Sequence, residues 1–391
     1  MTLYSPGAPN PEGLASAAQA RVFEALPEAQ SAFFAPGRVN LMGDHIDYLG
    51  GVVLPMSLTE GTVLAAEAKA RRDEGGLEVW ALDASEKALL SSKDLERPLG
   101  DWRRRLVAVL AALGLTPETV PFRIAISGTL AGGGLSSSAS FALVLARWLR
   151  GDGLGHPHDS WSLARILQTV ERDHAGVACG LMDPLAIDLG TVDGALRLDC
   201  EQGTATPVAL GFSEAVFALV HCGVGRRLDD GAYNRVRARL AAALAEEGFS
   251  ADRLPPQGAR VRAAPLRHVQ SEQARVWAGC EALAAGDAAA FGALMDASHG
   301  SLAEDYGVSL PELDRLTALA RGLPGVHGAR LTGAGFGGWA QLLVELDAWP
   351  ELHRTFAAEG FPKAFIATPG GAPRGLPPSA VAWRAYRGGF Q

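Results

Sequence analysis

The stretch Gly132-Gly-Gly-Leu-Ser-Ser-Ser-Ala139 runs straight into an apolar helical pattern over 138–149, and no other feature limits the possible folds of this chain as strongly. Three successive glycines let a backbone come close to a ligand. The free N–H groups of the helix's first turn, together with its dipole, favour an anion there. Three hydroxyls add hydrogen-bond donors, and one of them suits Mg2+. A serine N-cap after an ordinary loop accounts for the same string, so both readings stand at this point. Lysine occurs only at 69, 87, 93 and 363, never after a glycine. A Walker A loop needs Gly-Lys-Ser/Thr to reach the phosphates, so the P-loop architecture is excluded. The net charge is −8 and no basic run exceeds Arg103-Arg104-Arg105, which leaves no footprint for nucleic acid. Any phosphate must therefore be held by local geometry.

A second glycine run, Gly333-Ala-Gly-Phe-Gly-Gly338, matches G-x-G-x-x-G literally. A dinucleotide fingerprint must follow a strand and open a helix. Here Trp339-Ala-Gln-Leu-Leu-Val-Glu comes next, which reads as a strand, and too little chain remains for the rest of such a domain. The run is expected to be a turn between two strands, packed near a ligand.

A third string, Gly37-Arg-Val-Asn-Leu-Met-Gly-Asp-His-Ile-Asp-Tyr48, gathers Arg38, Asp44, His45 and Asp47 on a stretch expected to be loop. Carboxylates and imidazole each bond hydroxyl groups, so the cluster suits a sugar. His45 and Asp47 also form a possible metal pair, but no ligand set with zinc spacing accompanies them. A solvated charged turn is the plainer alternative. The two glycines and apolar flanks argue for something more constrained.

The length of 391 residues predicts two domains. Helices are expected over 15–26, 102–113, 138–149, 162–170, 234–247, 272–283, 288–298 and 311–323, with Gly248 as a C-cap. Strands are expected over 33–43, 62–70, 77–82, 122–126, 339–346 and 380–386, with Asp73-Glu-Gly-Gly76 as a hairpin turn between the second and third. Strands and helices mixed with hairpins give an α+β class, not a doubly wound sheet. The longest apolar stretch, 106–115, is far short of the ~20 residues of a membrane span. Cys179, Cys200, Cys222 and Cys280 are widely spaced and read as reduced thiols. With no secretory pattern at the start, the expectation is a cytoplasmic protein with no membrane partner.

The three motifs, in this order, resemble the GHMP small-molecule kinases, and among them the galactokinase family. The likeness extends through Val53-Leu-Pro-Met56, Cys179-Gly-Leu-Met-Asp183, Tyr233-Asn-Arg235, 286–302 and 324–338, which is most of the chain. It implies a two-lobed fold, with an N-terminal lobe over 1–210 like the second domain of ribosomal S5 and a ferredoxin-like C-terminal lobe over 211–391. The active site lies between them. The implied reaction moves the γ-phosphoryl of Mg-ATP to the anomeric hydroxyl of galactose, and a cytoplasmic monomer is the expectation. By the same resemblance, Asp183 orients and deprotonates that hydroxyl and Arg38 stabilises the moving phosphoryl. Ser138 and Glu171 match Mg2+ ligands. Gly132, Gly133, Gly134, Leu135, Ser136, Ser137 and Ser138 match the ATP loop. Asp44, His45, Asp47, Gly180 and Tyr233 match sugar-contacting positions. An arginine beside a carboxylate makes it a weaker base, so orientation is expected to matter at least as much as proton removal.

Four positions depart from the family pattern: Asp44 for Glu, Leu49 for Asn, Pro184 for Gln and Leu130 for Pro. All but Leu130 are expected near the sugar, which leaves N-acetylgalactosamine, arabinose and galacturonate as alternative substrates. A catalytically silent sugar sensor is the alternative outside enzymology. The complete Ser136-Ser-Ser-Ala139 loop, with Arg38, Glu171 and Asp183 present, favours the enzyme. His174, His299 and Trp339 are read as structural. Arg235, Arg237 and Arg239 are read mainly as solvated surface, and Arg226 and Arg227 carry no assigned role.

Overall fold

A computed structural model of the chain describes residues 11–69, 76–130, 133–151, 159–225 and 231–376. Gly132, the basic pair Arg226-Arg227, most of the turn at 73–76 and the expected strand over 380–386 lie outside the described residues.

The first half opens with α1 (Pro11–Ala25) and β1 (Ser31–Asn40), then β2 (Val52–Val53), β3 (Pro55–Ala68), β4 (Glu78–Ala81) and β5 (Glu86–Leu89). After them come α2 (Trp102–Ala112), β6 (Phe122–Gly128), α3 (Ser137–Gly151), α4 (Ser160–Ala175) and α5 (Met182–Asp188). The hairpin β7 (Gly194–Asp199) and β8 (Thr204–Ala209) leads to β9 (Ala215–His221). The second half continues with α6 (Ala232–Glu246), α7 (Ala264–Ala285), α8 (Ala288–Ser301) and α9 (Pro311–Arg321). It closes with β10 (Val326–Leu331), β11 (Trp339–Glu345), α10 (Trp349–Ala358), β12 (Ala364–Ile366) and β13 (Arg374–Leu376).

The first half supplies β1, β3, β4, β5 and β6 to a six-stranded sheet in the order β13-β1-β3-β6-β4-β5, and builds a small sheet β2-β7-β8. The second builds a four-stranded antiparallel sheet in the order β10-β11-β9-β12. Counted from β12, that is strand order 4-1-3-2, the ferredoxin-like arrangement expected. The chain then returns, and β13 pairs along the free edge of β1. One apolar core is continuous across both halves, from Val39 and Leu41 on the sugar motif to Phe291, Leu331 and Leu342.

The predicted hairpin between 62–70 and 77–82 does not form. β6 lies between β3 and β4, antiparallel to the first and parallel to the second, so the two expected partners never meet. The hairpin partner of β4 is β5, reached across a turn in which Ser85 takes a φ of 54°. The second glycine run does join two antiparallel strands, β10 and β11. Gly248, with a φ of 77°, follows the end of α6 in the expected way.

Candidate active site

Arg38 lies on β1, not on a loop, just after a bulge at Pro36–Arg38. The bulge lets its N–H reach the carbonyl of Leu135 at 3.2 Å. A Cβ on Gly37 would stand 2.8 Å from that same carbonyl and 2.6 Å from the Leu130 side chain, so only glycine lets the two segments close. The buried guanidinium then joins two sides of a cleft. Its Nε donates to Asp183 Oδ1 at 2.8 Å and its Nη1 to the carbonyl of Gly134 at 2.7 Å. Asp183 stands in the first turn of α5, a helix fixed to α3 by the Arg147–Asp188 ion pair. Its other oxygen accepts a 2.6 Å hydrogen bond from Ser136. Ser136 takes a φ of 59°, strained for a non-glycine residue and held by that bond.

The loop before α3 turns through Gly133 (φ 76°) and Gly134 (φ 91°). Leu135 packs into the core and offers backbone alone, while α3 starts at Ser137 with its first-turn N–H groups directed back toward the loop. Ser140 fastens the helix to the sheet by donating to Ala35 O, 2.8 Å away, and lies 2.8 Å from Thr62 Oγ1. Beside Ser137 opens a mostly apolar slot lined by Ala81, Asp83, Trp102, Leu130 and Phe141. These residues come from separate elements, and no sequence motif marks them.

The cleft itself is lined by Arg38, Asp44, His45, Asp47, Ser138, Glu171, Gly180, Asp183 and Tyr233, so the two lobes bring the expected sugar and metal positions together. Gly180 is required: a Cβ there would stand 1.7 Å from an Asp47 oxygen. Asp47 accepts the Met182 N–H at 3.3 Å. Burial, followed by the charge of Asp183, raises its pKa. His45 takes a φ of 66° and stacks on Tyr306, with ring centroids 4.6 Å apart. Its Nδ1 lies 3.2 Å from the Tyr48 hydroxyl, which is 2.6 Å from that of Tyr306. Pro184 lines the cleft, but Leu49 does not: its side chain is buried in the core. Asp44 is also buried, ion-paired to Arg330 of β10 and accepting the Gly333 N–H at 3.0 Å.

Ser138 and Glu171 line the same cleft, and the Glu171 pKa is raised by burial and lowered in part by Arg105, 3.3 Å away, and by the Ser138 hydroxyl. Two hard oxygen donors side by side fit Mg2+, which takes few protein ligands and fills its other positions with water and phosphate. Among the described residues no group of three or more His, Cys, Asp or Glu forms a metal cluster. Arg237 departs from the surface expected for it. It stacks 3.5 Å over the Tyr48 ring and donates to Ala178 O at 3.1 Å. His299 and Trp339 are core residues, as read from sequence.

Family models match three parts of the chain: a galactokinase galactose-binding signature at 21–68, the N-terminal domain of GHMP kinases at 104–191 and their C-terminal domain at 281–348. Among curated relatives, a galactokinase from Roseiflexus sp. (strain RS-1) is 38% identical over 80% of this chain and 82% of its own. One from Halalkalibacterium halodurans is 35% identical over 90% and 92%. The crystal structure of Lactococcus lactis galactokinase complexed with galactose superposes with a TM-score of 0.79 at 28% identity, covering 93% of this chain and all (100%) of that one. Methanococcus jannaschii mevalonate kinase shares the fold, with a TM-score of 0.64 at 19% identity over 86% of this chain and 97% of its own.

Proposed function

The chain belongs to the galactokinase family, and we infer from that premise that it transfers the γ-phosphoryl group of ATP to the anomeric hydroxyl of galactose, giving galactose 1-phosphate. The observation that carries the mechanism is the double reach of Arg38. One guanidinium bonds both the Asp183 carboxylate and the phosphate loop at Gly134, so the groups for the sugar hydroxyl and for the phosphoryl are set at a fixed spacing.

In this reading Asp183, held by Arg38 and Ser136, aligns the attacking hydroxyl and accepts its proton. Arg38 offers preorganised positive charge where the phosphoryl oxygens gain negative charge. Backbone N–H groups from Gly133 to Ser138 cradle the phosphates. The apolar slot around Trp102 and Phe141 takes the base. Ser138 and Glu171 hold Mg2+, which when bound neutralises phosphate charge. Asp44, His45, Asp47, Gly180 and Tyr233 form the sugar pocket. The lobes divide at 210/211, between β8 and β9, with β13 returning to the first sheet. Four free cysteines suit the reducing cytoplasm. The silent-sensor alternative is not favoured, because the groups for transfer are bonded in place.

An ADP-release assay with a sugar panel tests the reading. Galactose is expected to give the highest kcat/KM. A higher value with N-acetylgalactosamine, arabinose or galacturonate, or no turnover with galactose, would overturn it.

A further inference from the structure

The backbone of the sugar motif is clasped from the opposite lobe. Thr332 Oγ1 donates to Asn40 O at 3.1 Å, and Leu41 O accepts from both Arg330 Nη1 at 2.9 Å and Gln341 Nε2 at 2.8 Å. The Gly43 N–H donates to Glu272 at 2.9 Å, and His268 Nε2 lies 3.1 Å from Asp44 O. At the centre stands Arg330, fully buried. Its Nε bonds Leu331 O at 3.0 Å and its Nη2 pairs with Asp44. The other oxygen of Asp44 holds the Gly333 N–H, and Gly333 and Ala334 themselves line the cleft.

Taking two charges out of water is costly, and apolar packing of the same volume often gives equal or better stability. A pair at 0% and 1% exposure therefore calls for a role besides stability. The planar fork of arginine supplies donors in several directions at once, and here it meets Leu41 O, Leu331 O and the Asp44 carboxylate together. A lysine ammonium has no such fork.

We propose that Arg330 is a positioning residue for sugar binding: it fixes Asp44 and, through Asp44, the Gly333–Ala334 wall of the pocket, so that the C-terminal lobe sets the affinity for the sugar. The inference rests on the cleft being the sugar site. It gives a role to a residue that lies within the 324–338 stretch of family likeness but carries no assigned function there. Because Arg330 acts through Asp44, the two side chains must be energetically coupled in sugar binding and silent toward ATP.

A double-mutant cycle tests this with wild type, Arg330→Lys, Asp44→Asn and the double variant. Loss of a charge-assisted hydrogen bond predicts a sugar KM raised about ten- to a hundredfold in Arg330→Lys, with kcat and the KM for ATP within about threefold of wild type. The double variant is expected to be no worse than the worse single. Effects that multiply in the double variant would overturn the proposal. So would an unchanged sugar KM in Arg330→Lys, or a loss confined to kcat. If Arg330→Lys fails to fold, the neutral pair Arg330→Met with Asp44→Asn removes both charges together. Its sugar KM is then expected to equal that of Asp44→Asn alone, and a clear difference would contradict the coupling. Wild-type turnover of galactose in the same assay tests the kinase reading independently of the pair.

Discussion

Two glycine-rich turns face each other across the cleft, and in sequence they look alike. The one at 133–138 opens α3; the one at 333–338 joins β10 to β11. They come close enough that a Cβ on Gly134 would lie 3.6 Å from Trp339. Their chemistry differs because one leads into a helix and the other into a strand. A helix leaves its first N–H groups without intrahelical partners and presents them to an anion. A strand spends its N–H groups on a ladder, so the second turn has little to offer a phosphate. Instead its Gly333 N–H binds the Asp44 carboxylate, and Phe336 N–H ties the turn to Val308 O at 2.8 Å. Glycine content therefore marks where backbone comes close to something. The next element decides what that something is.

The contrast breaks most sharply if the group between the turns is removed. Asp183→Asn keeps the shape and loses the proton acceptor, so kcat is expected to fall at least ~10²-fold, read from initial rates. Near-normal turnover would remove Asp183 from the chemistry. The turns themselves should then fail in different ways. Gly134→Ala puts a side chain at a φ of 91°, a strain of about 1–3 kcal/mol. The KM for ATP should rise about tenfold, with the KM for sugar little changed. Gly335→Ala combines a φ of 76° with a Cβ 2.3 Å from Val308 O. Thermal melts should show a lowered Tm, and titrations a weakened sugar rather than ATP. The same pattern for both variants would erase the distinction.

Acid should also separate the two sides. His268, on Asp44 O, and His299, whose Nδ1 accepts the Leu331 N–H, are both pulled down by burial from the usual 6.5 to about 4. Between those values the unfolded chain binds protons that the folded one refuses, so stability is lost as pH falls from about 6.5 toward 4. Hydrogen exchange across that range should loosen β10 and the sugar motif before α3. The smallest effect is expected on the phosphate side: Ser140→Ala removes two buried contacts and should cost about 1–3 kcal/mol in denaturant unfolding.

The site is legible in sequence where its chemistry is contiguous. Residues 37–48, 133–138 and 180–183 each carry several functional groups on a few adjacent positions, and the structure brings them into one cleft. The base slot is not legible, because Asp83, Trp102 and Phe141 come from three unrelated segments and meet only in space. Arg330 does leave a trace, a charge inside the otherwise apolar end of a strand, but nothing local names its partner almost three hundred residues away. Arg237 escapes for a related reason: helical spacing tells which side chains share a face, not which ring waits opposite. The expected hairpin at 73–76 fails because neighbours in sequence need not be neighbours in the sheet, and a later strand, β6, takes the place between them.

The most direct measurement of the central claim is the position of the phosphate on the product. With galactose and ATP, 31P NMR of the reaction mixture should show phosphate bonded at the anomeric carbon as galactose 1-phosphate, absent when Asp183→Asn replaces the wild type. Phosphate on any other hydroxyl, or the same product formed at an undiminished rate by the variant, would contradict the account.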